Sequence, residues 1–212
     1  ETKKIYNWYG SSRFYPAQSN EKLEIRNKLN IPQDALVIIS VGGCSPIKRH
    51  TDVIKALPEI LKEYPNTIYL HLGEGVSLQE EIELANQLDI TKQVHFCGNQ
   101  KDVRQFLIAS DLYIMTSQNE GISLTTIEAM ACKIPAILYN VPGLRDFNKE
   151  LECSELIAED YRLLAQTIIK LYKDKERQLF LTRNAKSFVD SHFFMETNAN
   201  RIFELYKKKC KR

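Results

Sequence analysis

Short continuous apolar runs alternate along this chain with longer segments whose apolar residues recur every three to four positions. Leu36-Val-Ile-Ile-Ser-Val41 is the first run, β-branched and without polar alternation. That pattern predicts a strand over 36–41 covered on both faces, as in a parallel sheet. Further strands are predicted over 67–72, 93–97, 111–115, 135–139 and 155–158. Between them, 21–29, 51–63, 78–88 and 102–110 have helical spacing, with Val53, Ile54, Leu57, Ile60 and Leu61 forming one stripe. Ser77-Leu-Gln-Glu80 predicts a capping box for 78–88. A short helix follows Ser123 or Thr125, either of which suits its N-cap. Segments 160–172, 175–189 and 195–208 read as amphipathic helices. The alternation predicts an α/β fold: a single Rossmann-like domain, its parallel sheet of about six strands flanked by helices on both faces. The ligand crevice is then expected at the C-terminal ends of the strands.

The chemistry-bearing residues fall at those ends. Gly42 and Gly43 follow the first strand and let a ligand approach the backbone, while Lys48 supplies a point charge suited to phosphate. Gly73 opens a Gly-Glu-Gly turn after the second strand, and Gln100 lies in the loop after the third. After the fourth comes Gln118-Asn-Glu-Gly-Ile-Ser-Leu-Thr-Thr-Ile-Glu128. Its loop carries Glu120 and its helix carries Glu128. Gly121, Ile122, Ser123 and Leu124 between them offer unbonded backbone N–H groups at a helix start, where an anion is favoured. Two carboxylates beside an anion site repel a bare phosphate. They suit a ligand with hydroxyls on both sides of its phosphates, because ionised carboxylates only accept hydrogen bonds. A nucleotide-sugar has that layout. By spacing alone, the same glutamates also fit a buried crossover with two solvated carboxylates.

The flanking residues decide between these. Glu120-Gly-Ile-Ser-Leu-Thr-Thr-Ile-Glu128, followed by Ala129-Met-Ala-Cys-Lys-Ile-Pro135, closely resembles the E-x7-E region of the retaining GT-B glycosyltransferases of the group 1 (GT4) type. Val41, Gly42 and Lys48 match that family's Val-Gly-Arg-Leu-x-x-x-Lys-Gly motif. Gly43 stands at its Arg and Arg49 at its second Gly. The resemblance implies a C-terminal donor-binding domain, with Lys48 on the diphosphate, Glu120 on sugar hydroxyls near the reacting carbon and Glu128 on the ribose. Backbone groups of Ile122, Ser123 and Leu124 would complete the phosphate cradle, and the loop at Gln100 would seat the nucleobase. It further implies a nucleoside-diphosphate sugar as donor, with UDP or GDP expected, and no cofactor and no metal. Asn140-Val-Pro-Gly-Leu-Arg-Asp146 resembles a further turn near the donor, where Arg145 either approaches phosphate or forms a surface salt bridge.

Organisation follows from the same resemblance. Residues 1–20 are expected to be an inter-domain linker with Asn7 and Phe14 at its ends, 21–190 the nucleotide-sugar domain, and 191–212 a C-terminal helix directed toward an absent N-terminal acceptor-binding domain. Two alternatives accompany the glycosyltransferase reading: a nucleotide-sugar-binding module inactive without a separate acceptor domain, and a GT-B-type epimerase. A dinucleotide fold is disfavoured, because no G-x-G-x-x-G follows the first strand.

Composition narrows the class further. Of 212 residues, 43% are hydrophobic and 26% charged, ordinary for a globular domain, and a net charge of +2 gives no argument for nucleic acid. Lys207-Lys-Lys-Cys-Lys-Arg212 is a basic end, expected to be solvated. Peripheral membrane contact is expected only through the acceptor half. Five cysteines without paired spacing disfavour a disulfide framework or a zinc site, so a reducing, cytoplasmic setting is expected. No signal-peptide pattern or membrane-length apolar run is present. His71 and His95 lie inside predicted strands and are expected to be satisfied core or edge histidines.

Overall fold

The computed structural model describes residues 8–210. Six parallel strands form one sheet: β1 (Val37–Val41), β2 (Ile68–Leu72), β3 (Val94–Gly98), β4 (Leu112–Met115), β5 (Ala136–Tyr139) and β6 (Glu155–Ile157). Their order across the sheet is β3-β2-β1-β4-β5-β6. Every residue of β1, β2, β4 and β5 is buried, whereas β3 and β6 at the edges are mostly half-buried. Continuous apolar runs are what a strand needs when helices cover both of its faces.

Around the sheet lie α1 (Glu21–Lys28), α2 (His50–Glu63), α3 (Leu78–Gln87), α4 (Val103–Ala109), α5 (Leu124–Ala131), α6 (Tyr161–Lys173), α7 (Lys175–His192) and α8 (Met195–Cys210). α2 packs on α3 and α6, α1 on α4, and α5 on α7. The predicted stripe of α2 is buried at Val53, Ile54, Leu57 and Ile60. Asn7 lies outside the described residues. Tyr9 and Phe14 are buried, and the Tyr9 backbone N–H donates to the Phe193 carbonyl at 3.2 Å. The segment at Tyr9 is therefore pinned to the end of α7.

Two local expectations meet different outcomes. Ser77 forms no capping box: it is already helical, with φ −90° and ψ −1°, and its side chain caps nothing. Its backbone N–H instead donates to the Cys44 carbonyl at 3.2 Å, tying the loop after β2 to the loop after β1. At α5 the choice falls on Ser123, whose extended backbone suits an N-cap and whose hydroxyl accepts from the Thr126 N–H. Thr125 lies two residues further on, within the first turn, and donates to the Val41 carbonyl at 3.1 Å, fixing α5 to the end of β1.

Candidate functional site

β1 is the strand at which the sheet order reverses: its neighbour β2 follows directly in sequence, while β4 on its other side comes after β3. The loops after β1 and β4 therefore leave in opposite directions and open a crevice between them. Glycines after β2 and β5 let the neighbouring loops pack closely against these two. A Cβ on Gly73, whose φ is +139°, would lie 1.9 Å from the Gly42 carbonyl oxygen. A Cβ on Gly143, at φ +84°, would lie 2.0 Å from the Glu120 carbonyl oxygen. Only glycine accepts both the backbone angle and the approach. Gly121 has nothing within 4 Å of the corresponding point and faces open space.

The two loops are stitched together. The Gln118 N–H donates to the Ile47 carbonyl at 2.9 Å, and the Thr116 hydroxyl donates to the carbonyls of Lys48 and Arg49. Across this seam Lys48 Nζ meets Glu120 Oε1 at 2.5 Å. Ser117 Oγ donates to the same oxygen at 2.7 Å, which leaves Oε2 without a protein partner among the described residues. The Lys48 ammonium keeps N–H donors for a second acceptor. Among the described residues, the backbone N–H groups of Ile122, Ser123 and Leu124 take no backbone acceptor, as expected of the first turn of α5.

Glu128 lies half-buried on α5 with no side-chain hydrogen bond or ion pair among the described residues. Burial pushes its carboxyl up to about 7, and the nearby charge of Arg13 only partly offsets this. A half-buried carboxylate without a partner among the described residues has acceptor capacity to spare when ionised. Gln100 is committed to its own turn, donating to the Cys97 carbonyl. Arg145 is exposed and forms no ion pair among the described residues.

Arg49 turns away from the crevice. It pairs with Asp52 and with Glu159, each at 2.7 Å, and its guanidinium lies 5.5 Å from the Tyr139 ring centroid. Its backbone has φ 50° and ψ 40°, the left-handed conformation that glycine adopts without cost. A glycine at this place in the resembled motif thus has a backbone reason. The ion pairs offset the strain here.

Residues 21–188 match the family model described as glycosyl transferases group 1. The chain belongs to the group 1 glycosyltransferases. N-acetyl-alpha-D-glucosaminyl L-malate synthase of Bacillus anthracis is 25% identical over 203 residues, covering 95% of this chain and 52% of that protein. Lipopolysaccharide glucosyltransferase WaaG of Escherichia coli strain K12 is 25% identical over 185 residues, covering 84% of this chain and 49% of that protein. The chain thus spans about half the length of these curated relatives. Among solved structures, Anabaena Alr3699/HepE in complex with UDP and glucose superposes with a TM-score of 0.86 at 21% identity, covering 96% of this chain and 56% of that one. That likeness is one of fold, the C-terminal Rossmann-like half of a GT-B glycosyltransferase.

Within this group 1 glycosyltransferase, the fold gathers Gly42, Gly43, Lys48, Glu120, Gly121, Ile122, Ser123 and Leu124 at the β1–β4 crevice, with Gly73 directly beneath Gly42. Gln100 follows the edge strand β3, further from the seam. The sequence reading missed the support that Gly143 gives the Glu120 peptide. The Val-Pro-Gly-Leu turn was its signal, since glycine after proline marks a turn needing positive φ. No helix among the described residues is long and apolar enough to cross a membrane.

Proposed function

We propose that this glycosyltransferase domain binds a nucleoside-diphosphate sugar across the β1–β4 crevice. Together with an acceptor-binding half, it would transfer that sugar to an acceptor with retention at the anomeric carbon. The observation that carries the reading is the meeting of Lys48 and Glu120 beside the free N–H groups at the start of α5. In transfer, the bond between the anomeric carbon and the diphosphate oxygen breaks and negative charge grows on the leaving diphosphate. Lys48 and the α5 N-terminus would stabilise that charge, an electrostatic catalysis of departure without a divalent cation at the phosphates. Glu120 Oε2 would accept a sugar hydroxyl, with the carboxylate oriented by Lys48 and Ser117 on Oε1. Glu128 would accept the ribose hydroxyls. Alr3699/HepE, with its UDP and glucose, supports a uridine nucleotide as the first donor to try.

A thermal-shift screen of UDP-, GDP- and ADP-sugars tests this. A donor at 100 times its Kd should stabilise the chain by about 2.7 kcal/mol. Added magnesium is expected to leave that shift unchanged. Absence of a shift with every nucleotide, or a shift that requires magnesium, would sink the reading.

A further inference from the structure

Beneath the glycine loops lies a polar cluster that the glycosyl-transfer reading does not use. Cys44 follows Gly42 and Gly43, His71 is in β2, and Glu81 is on α3; all three are no more than 1% exposed. His71 Nε2 lies 2.9 Å from Glu81 Oε2 and 3.8 Å from Cys44 Sγ, and the three donor atoms all lie within 4.8 Å of one another. They are nonetheless poorly satisfied. Among the described residues, Glu81 Oε2 has no hydrogen-bond partner despite its closeness to the imidazole, and neither has His71 Nδ1. His71 is a core histidine as expected, but not a fully satisfied one. Next to it, His50 is 1% exposed, has no hydrogen-bond partner on either ring nitrogen among the described residues, and holds its ring centroid 4.5 Å from that of His71.

Buried polar atoms without partners are costly and few in native proteins. Beside the unpartnered Glu81 oxygen and His71 Nδ1, the His71 Nε2, the Cys44 sulfur and that same carboxylate oxygen gather within 4.8 Å, three donors of the kinds that zinc takes. The sulfur ligand selects against magnesium and calcium, which take oxygen donors. A thiolate and a carboxylate together balance the charge of a divalent ion.

We propose that Cys44 Sγ, His71 Nε2 and Glu81 Oε2 bind one divalent cation of the zinc class, with a water in the fourth position. On binding, the Cys44 thiol proton leaves to solvent and the sulfur lone pair goes to the metal. The site is closed by burial, so the ion is structural. It staples the loop after β1 to β2 and α3, and so holds the floor of the crevice that carries Lys48. The linear sequence disfavoured zinc because its five cysteines show no paired spacing, and Cys44, His71 and Glu81 lie far apart along it. The fold brings them together from three separate elements.

The test uses the purified chain stripped with chelator and titrated with zinc chloride or cobalt chloride alone. One equivalent of cobalt is expected to give a thiolate-to-cobalt charge-transfer band, lost on adding zinc. Zinc, but not magnesium, is expected to raise the melting temperature. Cys44→Ser and His71→Ala should abolish the band and weaken zinc binding by at least about 100-fold, beyond the 10- to 100-fold cost of losing outer-shell partners. Cys132→Ser should retain both. If Cys44→Ser fails to fold by circular dichroism, the near-isosteric Glu81→Gln and the wild-type spectrum decide. A wild-type chain that takes up neither metal, or a folded Cys44→Ser chain that binds as well as wild type, overturns the proposal. Either result leaves the nucleotide-sugar reading untouched, since the donor screen is measured independently.

Discussion

Lys48 and Glu120 are separated by 72 residues and meet at 2.5 Å across the seam between β1 and β4. The pair is partly buried, with side-chain exposures of 25% and 11%. The carboxylate holds the ammonium in the crevice, and the ammonium holds the carboxylate in one orientation. Their proposed roles differ, so substitutions should separate them. Lys48→Ala is expected to weaken nucleoside-diphosphate affinity about 10- to 100-fold, the scale of a lost charged hydrogen bond of about 1.5–3 kcal/mol. On the proposed placement, Glu120→Gln removes a contact beside the breaking bond. In this domain joined to an acceptor-binding half it should lower kcat on the order of 100-fold while diphosphate affinity stays unchanged or tightens. Calorimetry and initial rates on both variants check this. Loss of diphosphate binding in Glu120→Gln with retention in Lys48→Ala would reverse the placement of the ligand.

On the proposed placement of the donor, Glu128 should make its binding depend on pH. Burial raises its carboxyl from 4.5 to about 7, so the free chain is partly protonated there near neutrality. Hydroxyl donors from a ribose favour the ionised form, so affinity should rise as pH increases through about 7, with proton release on binding. For stability the sign is opposite. The folded pKa lies above the unfolded one, so this group's ionisation costs the free chain stability as pH rises from about 4.5 to about 7. Glu128→Gln should flatten both trends and weaken nucleotide binding by about 1.5–3 kcal/mol. Calorimetry in buffers of different ionisation enthalpy measures the released proton, and an unaltered pH profile in the variant would refute the assignment.

Gly143 supports Glu120 from below, so its effect should reach activity through the backbone. Gly143→Ala puts a Cβ within 2.0 Å of the Glu120 carbonyl oxygen at a φ of +84°. A cost of about 1–3 kcal/mol in stability is expected, from strain at that angle. Turnover should fall more than diphosphate affinity, because the displaced loop carries Glu120 rather than Lys48. Urea unfolding and steady-state kinetics on the same preparation compare the two. An alanine variant with wild-type stability and turnover would show that the loop gives way freely.

Arg49 stands beside Lys48 in sequence yet binds Asp52 and Glu159, while Asp52 also accepts from the Tyr139 hydroxyl at 2.8 Å. Arg49→Ala should therefore destabilise the chain by about 1–3 kcal/mol, since the buried Asp52 loses a charged partner. Diphosphate affinity should stay within twofold of wild type. A large loss of affinity at unchanged stability would show that Arg49 replaces the arginine that Gly43 displaces from the family motif.

Much of this protein was legible along the chain. The apolar runs of β1, β2, β4 and β5 and the stripe of α2 are local periodicities, which buried strands and amphipathic helices impose on any sequence that forms them. They give an α/β fold with a parallel sheet, and the rule for such sheets places Gly42, Lys48 and Glu120 at the strand ends. The Glu120–Glu128 segment is contiguous, so its loop, cap and helix could be read as one unit. What periodicity does not carry is which strand lies beside which. Only the order β3-β2-β1-β4-β5-β6 brings Lys48 against Glu120 and turns Arg49 toward Glu159. Ser77 also escaped a local rule, because its backbone bond to Cys44 outweighed the capping box its sequence offered. The gathering of Cys44, His71 and Glu81 was invisible for the same reason. Contacts between residues on separate elements arise from packing the whole chain around one core, and no stretch of sequence encodes them alone.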